Sequence, residues 1–333
     1  MSSATIAAKK NQNVCAITVG YNSPDELTRL LLSLENQNDC LSGLVIIDNS
    51  DDRHSLANKR IFNFHSKKYF LARYHKTENN VGSAGGFRRG MKIAHENGFQ
   101  WMWLLDQDGV ISSGCLTELL RHAEEGDILC PNIFDIERPQ YSLPKAYAVN
   151  LLGGWYPAIW GLTHSQIRAF GTHGALISRK TLDTIGYYDD SLFFVGFEDL
   201  DFGYRATQAG LVIVLVLEAE ALHWVQVSST RLAKLLPVDL HRIVNPHEVR
   251  PCMKTKSISA FAQAYFESKR LNPWQFGIAL VYSMCRGLYY KITSDDGVAL
   301  KKTLHMWLKC LAYCVKKDWP YSLIDQLCRA ILR

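Results

Sequence analysis

The chain has 333 residues, 47% hydrophobic and 21% charged, a balance that excludes a disordered or collagen-like polymer and fits two domains or one large domain with an extension. Its net charge of +5 is uneven: residues 225–333 carry 17 Lys and Arg against 7 Asp and Glu, whereas residues 1–224 carry 20 against 25. Nine cysteines without a CxxC pair, an amino terminus without an apolar leader core, and a longest apolar run (Phe276 to Cys285) that stops at Arg286 argue against a disulfide or zinc framework, a secreted chain and a membrane span. The expectation is a reduced, cytoplasmic protein.

Val14 to Val19 is a β-rich apolar run and predicts the first strand, with Tyr21 and Asn22 just beyond it. Ser23 as N-cap, Pro24 at the first helical position and Glu26 three residues after the cap predict a helix, and Leu27, Leu30, Leu31 and Leu34 mark its buried face. Leu44 to Ile47 predicts a second strand ending in Asp48 and Asn49. A strand–helix–strand unit of this length implies a parallel pair, so both strands end on one edge. Residues 55 to 68 read as helix and 69 to 74 as a third strand. In Asn79 to Gly90, NNVGSAGGFRRG, the glycines at 82, 85 and 86 permit close backbone approach, and a helix amino terminus just after them would offer N–H groups to an anion. A flexible turn reads the same way.

Trp101 to Gly109, WMWLLDQDG, is the stretch around which the chain is organised. Its unbroken apolar run predicts a strand buried on both faces, and Asp106, Gln107, Asp108 and Gly109 predict the turn at its carboxyl end, the edge where open α/β sheets bind ligands. Two carboxylates two positions apart suit a hard divalent cation, which commonly accompanies a phosphate. The plainer alternative is a surface turn that uses Asp and Gly for local geometry.

A helix over 115–124 and a strand over 128–131 follow. Residues 134–161 are rich in Pro, Gly and aromatics, and Trp155, Tyr156 and Trp160 are candidates to stack on sugar rings or to pack in a core or dimer. Phe170 to Ser178 reads as a strand or hairpin in which Gly171 and Gly174 bracket Thr172 and His173. Glu198, Asp199 and Asp201 stand where an apolar run turns into a helix carrying Phe202, Arg205 and Ala209 at helical spacing. The helix dipole favours acids in a first turn, yet three in four positions exceed what capping needs. Arg205 matches an i, i+4 pair with Asp201. Leu211 to Leu217 predicts a final strand, with His223 close after its end.

In this order the pieces resemble the family 2 inverting glycosyltransferases of the GT-A fold, over roughly residues 14 to 224. The resemblance rests on YNS after the first strand, Asp48 ending the second, N-x-G-x-x-G-G at 80–86, the acidic triplet at 106–108, G-x-H-G at 171–174, ED-x-D at 198–201 and the late His223. It implies an α/β fold, Rossmann-like, with a mostly parallel mixed sheet between helices in residues 1–224 and a helical extension over 225–333. LLDQDG is similar to the form common among rhamnosyltransferases, while NVGSAGGF and FFVGFEDLDFGYR are more similar to galactofuranosyltransferases, so the donor, a UDP- or dTDP-sugar, is left open between the two.

The resemblance also implies roles. Tyr21, Asn22, Asp48, Gly82, Gly85, Gly86, Asp106 and Gln107 would bind the nucleotide-sugar donor, Asp48 through the base or its ribose. Asp106, Asp108 and His223 would hold Mn²⁺ or Mg²⁺ at the diphosphate, with Mn²⁺ favoured if the imidazole binds. Asp199 would be the general base, with Glu198 and Asp201 as alternates. Trp155, Trp160, His173 and Asp201 would lie on the acceptor side. A nucleotidyltransferase would need a basic glycine-rich loop after the first strand, which GYNSPDEL lacks, and a non-catalytic assembly subunit sits poorly with the intact acids.

Residues 225–333 read as basic amphipathic helices interleaved with Trp and Tyr. They suit an anionic membrane surface, and the resemblance implies a lipid-linked glycan or growing surface polysaccharide as the acceptor, at the cytoplasmic face of an inner membrane. Packing against the first domain or homo-oligomer formation is the alternative. Nucleic acid is the poorer partner, since no binding module accompanies the charge.

Overall fold

The computed structural model describes residues 13–223 apart from 36, 38–40, 138, 140–141, 144–145, 150–154, 158–166, 168, 192–194 and 197. Within them the opening apolar run forms strand β1 (Val14–Gly20), and helix α1 (Pro24–Ser33) follows with Pro at its first turn. Ser23 stands at the N-cap as the pattern predicts, but its side chain makes no capping hydrogen bond; Asp25 and Glu26 in the first turn complement the helix dipole instead. Leu27, Leu30, Leu31 and Leu34 are all buried. Strand β2 (Leu41–Asp48) pairs parallel with β1, helix α2 (Asp52–His65) is capped by Asp51 through the backbone N–H of His54, and β3 (Leu71–Lys76) adds a parallel edge.

Helix α3 (Gly82–Glu96) departs from expectation. It starts at the first glycine of the motif and includes the others, rather than starting after them. A Cβ added at Gly86 would lie 2.6 Å from Val19 Cγ1, and one at Gly90 would lie 2.3 Å from Ile17 Cγ2. These glycines therefore let α3 settle against β1, and Gly85 is similarly closed by Val81 at 2.9 Å. Gly82 keeps a special backbone, with φ +73, its N–H held by Asn80 Oδ1 and its carbonyl by Asn49 Nδ2.

Strand β4 (Trp101–Asp106) pairs parallel with β1, and its alternate residues enter two cores. Trp101, Trp103 and Leu105 pack with the leucines of α1 and with Phe62 of α2, while Met102 and Leu104 pack with Phe87 and Met91 of α3, so the strand is buried on both faces. A short strand β5 (Gly109–Ile111) follows the turn directly, then α4 (Cys115–Arg121) and β6 (Ile128–Asp135).

Beyond β6 the chain adds β7 (Ser142–Leu143), which pairs with β6, and a separate three-stranded antiparallel sheet of β8 (Ala146–Val149), β9 (Trp155–Pro157) and β10 (Ala169–Phe170). Strand β11 (Leu176–Ser178), α5 (Arg179–Ile185), α6 (Glu198–Gln208) and β12 (Ile213–His223) complete the described chain. Among the described residues the main sheet has nine strands in the order β3-β2-β1-β4-β11-β6-β12-β5, with β7 beside β6. β11 runs antiparallel between β4 and β6, and β12 runs parallel to β6 and antiparallel to β5.

β12 is longer than the apolar run predicts. Its pairing with β6 slips between Val216 and Glu220, and beyond that bulge the strand continues through EALH, so His223 is its last residue rather than a loop residue after it. Among the described residues no helix is long and apolar enough to cross a membrane. The basic segment 225–333 and Trp160 lie outside the described residues.

Candidate functional site

Strand register assembles the site at one edge of the sheet. Gly20 pairs with Asp48 and Val19 with Asp106, which sets the ends of β2 and β4 on either side of the end of β1. On the far side, β12 meets β5 with His223 opposite Gly109. The two acids of DQDG and a histidine far along the chain thus converge.

His223 Nε2 lies 3.2 Å from Asp106 Oδ2 and 3.4 Å from Asp108 Oδ1, and one ligand atom from each residue falls within 4.8 Å of the other two. The three side chains are 29%, 15% and 13% exposed for Asp106, Asp108 and His223, open enough for a ligand to reach and buried enough to be held. Burial acts to raise the Asp106 carboxyl, but the hydrogen bond and charge of His223 outweigh it and hold the group below the ordinary carboxylate value. Two hard oxygens and one borderline imidazole form a donor set that suits a divalent cation.

His173 supports this cluster from beneath. It is 1% exposed, its Nδ1 accepts the backbone N–H of Asp106 at 3.1 Å, and its ring stands edge-on to that of His223 with centroids 5.3 Å apart. An accepting Nδ1 leaves the ring proton on Nε2, a neutral tautomer. The glycine of DQDG has its reason here, because a Cβ at Gly109 would lie 1.9 Å from His173 Cε1. His173, expected on the acceptor side, is a buried ring in contact with the Asp106 backbone and the His223 ring.

The neighbouring Thr172 reaches the other acidic cluster, its N–H donating to Asp199 Oδ2 at 3.2 Å. One loop, 171–174, therefore ties DQDG to the start of α6. Gly174 shapes that loop with φ +79 and passes its carbonyl to Trp103 Nε1 at 2.9 Å. The pattern G-x-H-G was visible in the sequence, but nothing local indicates which elements its two central residues touch.

The three acids of α6 meet different fates. Asp201, expected as an alternate base and on the acceptor side, is buried and paired with Arg205 at 2.8 Å, and Arg205 also holds the carbonyls of Ile185 and Tyr187. Glu198 is 4% exposed and hydrogen-bonded to Ser83 at the first turn of α3. Burial, then the charge of Asp199, pushes its carboxyl up to about 8. Asp199 is partly exposed, and it also accepts the N–H of Leu200 at 2.8 Å.

At the β1 and β2 ends, Gln107 holds the loop after β1. Its Oε1 accepts the N–H of Tyr21 at 2.7 Å and its Nε2 donates to the Tyr21 carbonyl at 2.9 Å, so both ends of the amide bind the same residue's backbone. This clamp of the Tyr21 backbone leaves the Tyr21 ring outermost, at 46% exposure. Asn22 adopts φ +48 and bridges to β2, donating its N–H to Ser50 Oγ and accepting the N–H of Asp51. Asp48 is fully buried, and its carboxylate accepts from Ser50 N–H at 3.0 Å, Asn58 Nδ2 at 3.1 Å and the Tyr74 hydroxyl. Asp48 sits at the expected edge, holding the loop that carries Ser50. Trp155 lies on β9, with its side chain outside the described residues.

A family model for glycosyl transferase family 2 matches residues 15–186, which is more than half of the chain. The galactofuranosyltransferase GlfT1 of Mycobacterium tuberculosis is 28% identical over 226 residues, covering 64% of this chain and 70% of that protein. Among solved structures, GalNAc-T7 with UDP, GalNAc and Mn²⁺ matches with a TM-score of 0.58 at 14% identity, and TarS of S. aureus with 0.52 at 18%, covering 93% and 90% of this chain. The chain spans 58% and 55% of the lengths of those two structures, and at such identities they establish the fold, GT-A. With this sheet, these acids at its edge and the family match through both, the chain belongs to glycosyl transferase family 2.

Proposed function

We propose that the protein is a metal-dependent inverting hexosyltransferase that moves galactofuranose from UDP-galactofuranose onto a lipid-linked glycan. The observation that carries the reading is the convergence of Asp106, Asp108 and His223, which sheet register brings within ligand distance of one another. A galactofuranosyltransferase relative and a GT-A structure holding UDP and Mn²⁺ support donor class and metal. The rhamnose alternative rested on Gln107, whose amide is occupied by Tyr21.

Asp106, Asp108 and His223 are the residues that would hold the cation, and Mn²⁺ accepts the imidazole better than Mg²⁺. When bound there, a divalent cation supplies Lewis-acid stabilisation of the charge that develops on the departing diphosphate. Tyr21, its backbone clamped and its ring exposed at the sheet edge, would cover the nucleobase. Asp199 takes the proton of the acceptor hydroxyl as that oxygen attacks the anomeric carbon from the face opposite the leaving group. The N–H groups of Thr172 and Leu200 orient the Asp199 carboxylate. Glu198, held largely protonated at neutral pH, and Asp201, neutralised by Arg205, are poorer bases. The basic segment 225–333 is assigned to membrane association near the acceptor.

The test offers the purified full-length chain UDP-galactofuranose, dTDP-rhamnose and common UDP-hexoses, with Mn²⁺ or with EDTA, and follows nucleotide release. Release from UDP-galactofuranose that needs Mn²⁺ is the expected result. Faster release from another donor removes the sugar assignment, and activity that persists in EDTA removes the role of the cation.

A further inference from the structure

Within the acid-rich first part of the chain, one stretch combines an absence of acids with a high density of bases. From Arg53 to Thr77 there is no Asp or Glu, while seven Lys and Arg occur, although residues 1–224 as a whole carry more acidic than basic residues. The structure arranges this stretch on the outer face of α2 and the turn into β3. The inward face of α2 is Ser55, Asn58, Phe62 and His65, all buried. Outward stand Lys59, Arg60 and Lys67, all exposed, and among them three apolar side chains that a water-facing helix would not be expected to group: Leu56 at 56% exposure, Phe64 at 74% and Phe70 at 92%. Glu35, which approaches from the end of α1, pairs with His65 at 2.9 Å.

We propose that the outer face of α2, continued by Phe70, is a docking surface for an anionic lipid bilayer. Cationic side chains interleaved with exposed phenylalanines and a leucine match such a surface: the bases meet the headgroups and the rings enter the boundary below them. A soluble polyanion would account for the charge but gives no reason to leave two phenylalanines in water. The placement is useful to a transferase with a lipid-borne acceptor. α2 begins at the loop in which Ser50 and Asp51 hold Asn22, on the rim of the site, so a bilayer along α2 runs past the cleft. The surface is separate in sequence from residues 225–333, and its test does not depend on the donor assignment.

The experiment uses the full-length chain with vesicles of phosphatidylcholine alone or with 30% phosphatidylglycerol, and combines flotation with hydrogen exchange. Binding to the anionic vesicles with slowed exchange over residues 53–70 is expected. The variant Lys59→Glu/Arg60→Glu/Lys67→Glu should lose roughly a hundredfold in partitioning, since each basic residue near the surface contributes about fivefold. Phe64→Ser/Phe70→Ser should keep binding at low salt and lose the part that survives high salt. All these positions face outward, so both variants should melt as the parent does. Unchanged exchange over 53–70 on vesicles that hold the protein overturns the proposal and leaves the binding to other segments; so does an absence of binding. If heparin binding falls with the charge reversals while vesicle binding is indifferent to the phenylalanines, the face is a polyanion site instead.

Discussion

Asp106 and Asp108 keep 29% and 15% of their side-chain surface and share an imidazole, whereas at the start of α6 Glu198 and Asp201 are buried, one raised toward neutrality and the other matched by an arginine. The two clusters look alike as strings of letters, DQD and EDLD, yet the fold treats them oppositely. In the first it gathers two carboxylates around one imidazole; in the second it compensates the neighbours of one partly exposed carboxylate. The first arrangement suits holding a cation, because two carboxylates and an imidazole together are a ligand set, and the second suits a single base, which must change protonation alone. Loop 171–174 touches both, through His173 on one side and Thr172 on the other.

The largest expected effect is on the first cluster. Asp108→Ala should abolish Mn²⁺-dependent binding of UDP, measured by calorimetry with and without EDTA, and binding that survives would assign the metal elsewhere. Asp199→Asn should come next, leaving UDP affinity intact while transfer falls about 10²- to 10⁴-fold, the usual contribution of a general base. If Asp199→Asn loses nucleotide affinity while Asp108→Ala retains it, the two clusters have been assigned the wrong way round.

Two glycines separate support of the site from packing of the fold. Gly109→Ala drives a Cβ into His173, and Gly86→Ala drives one into Val19. Each should cost about 1–3 kcal/mol of stability from overpacking, read as a lowered Tm. Only Gly109→Ala should also weaken Mn²⁺ binding, by about 10- to 100-fold, because His173 orients what lies above it. Equal loss of Mn²⁺ affinity in both would make His173 an ordinary core residue.

The smallest effect concerns Glu198. Its folded carboxyl is raised from the ordinary 4.5 to about 8, so the folded state holds a proton that the unfolded chain releases. The sign follows: this group's contribution is fully present below about pH 4.5, declines as pH rises, and is lost above about 8. Glu198→Gln, which mimics the protonated form, should flatten the fall of Tm between pH 5 and 8 measured in EDTA. A variant as steep as the parent would show that Glu198 is ionised in the folded protein.

Much of this was legible in the letters. Leu27, Leu30, Leu31 and Leu34 advertise a helix face because helical periodicity reports burial along one segment, and WMWLL advertises a strand buried twice because no alternation relieves it. The parallel pairing of β1 and β2 follows from the length of the crossover. Other contacts were not legible in the letters: Gly86 meets Val19, the Gln107 amide holds the Tyr21 backbone, and the His173 ring lies against Gly109. A residue's neighbours from distant segments are invisible in its own stretch of sequence.

The sequence by itself determined the α/β alternation, the acids at strand and helix ends, and the family those acids point to, since each is a property of a short segment and its order. The tertiary structure alone decided that His223 stands opposite Gly109, that the β12 bulge carries the strand far enough to deliver it, and that Glu198 and Asp201 are buried while Asp199 stays partly exposed. Register between distant strands and the burial of a particular carboxyl depend on what packs alongside, which no local pattern encodes.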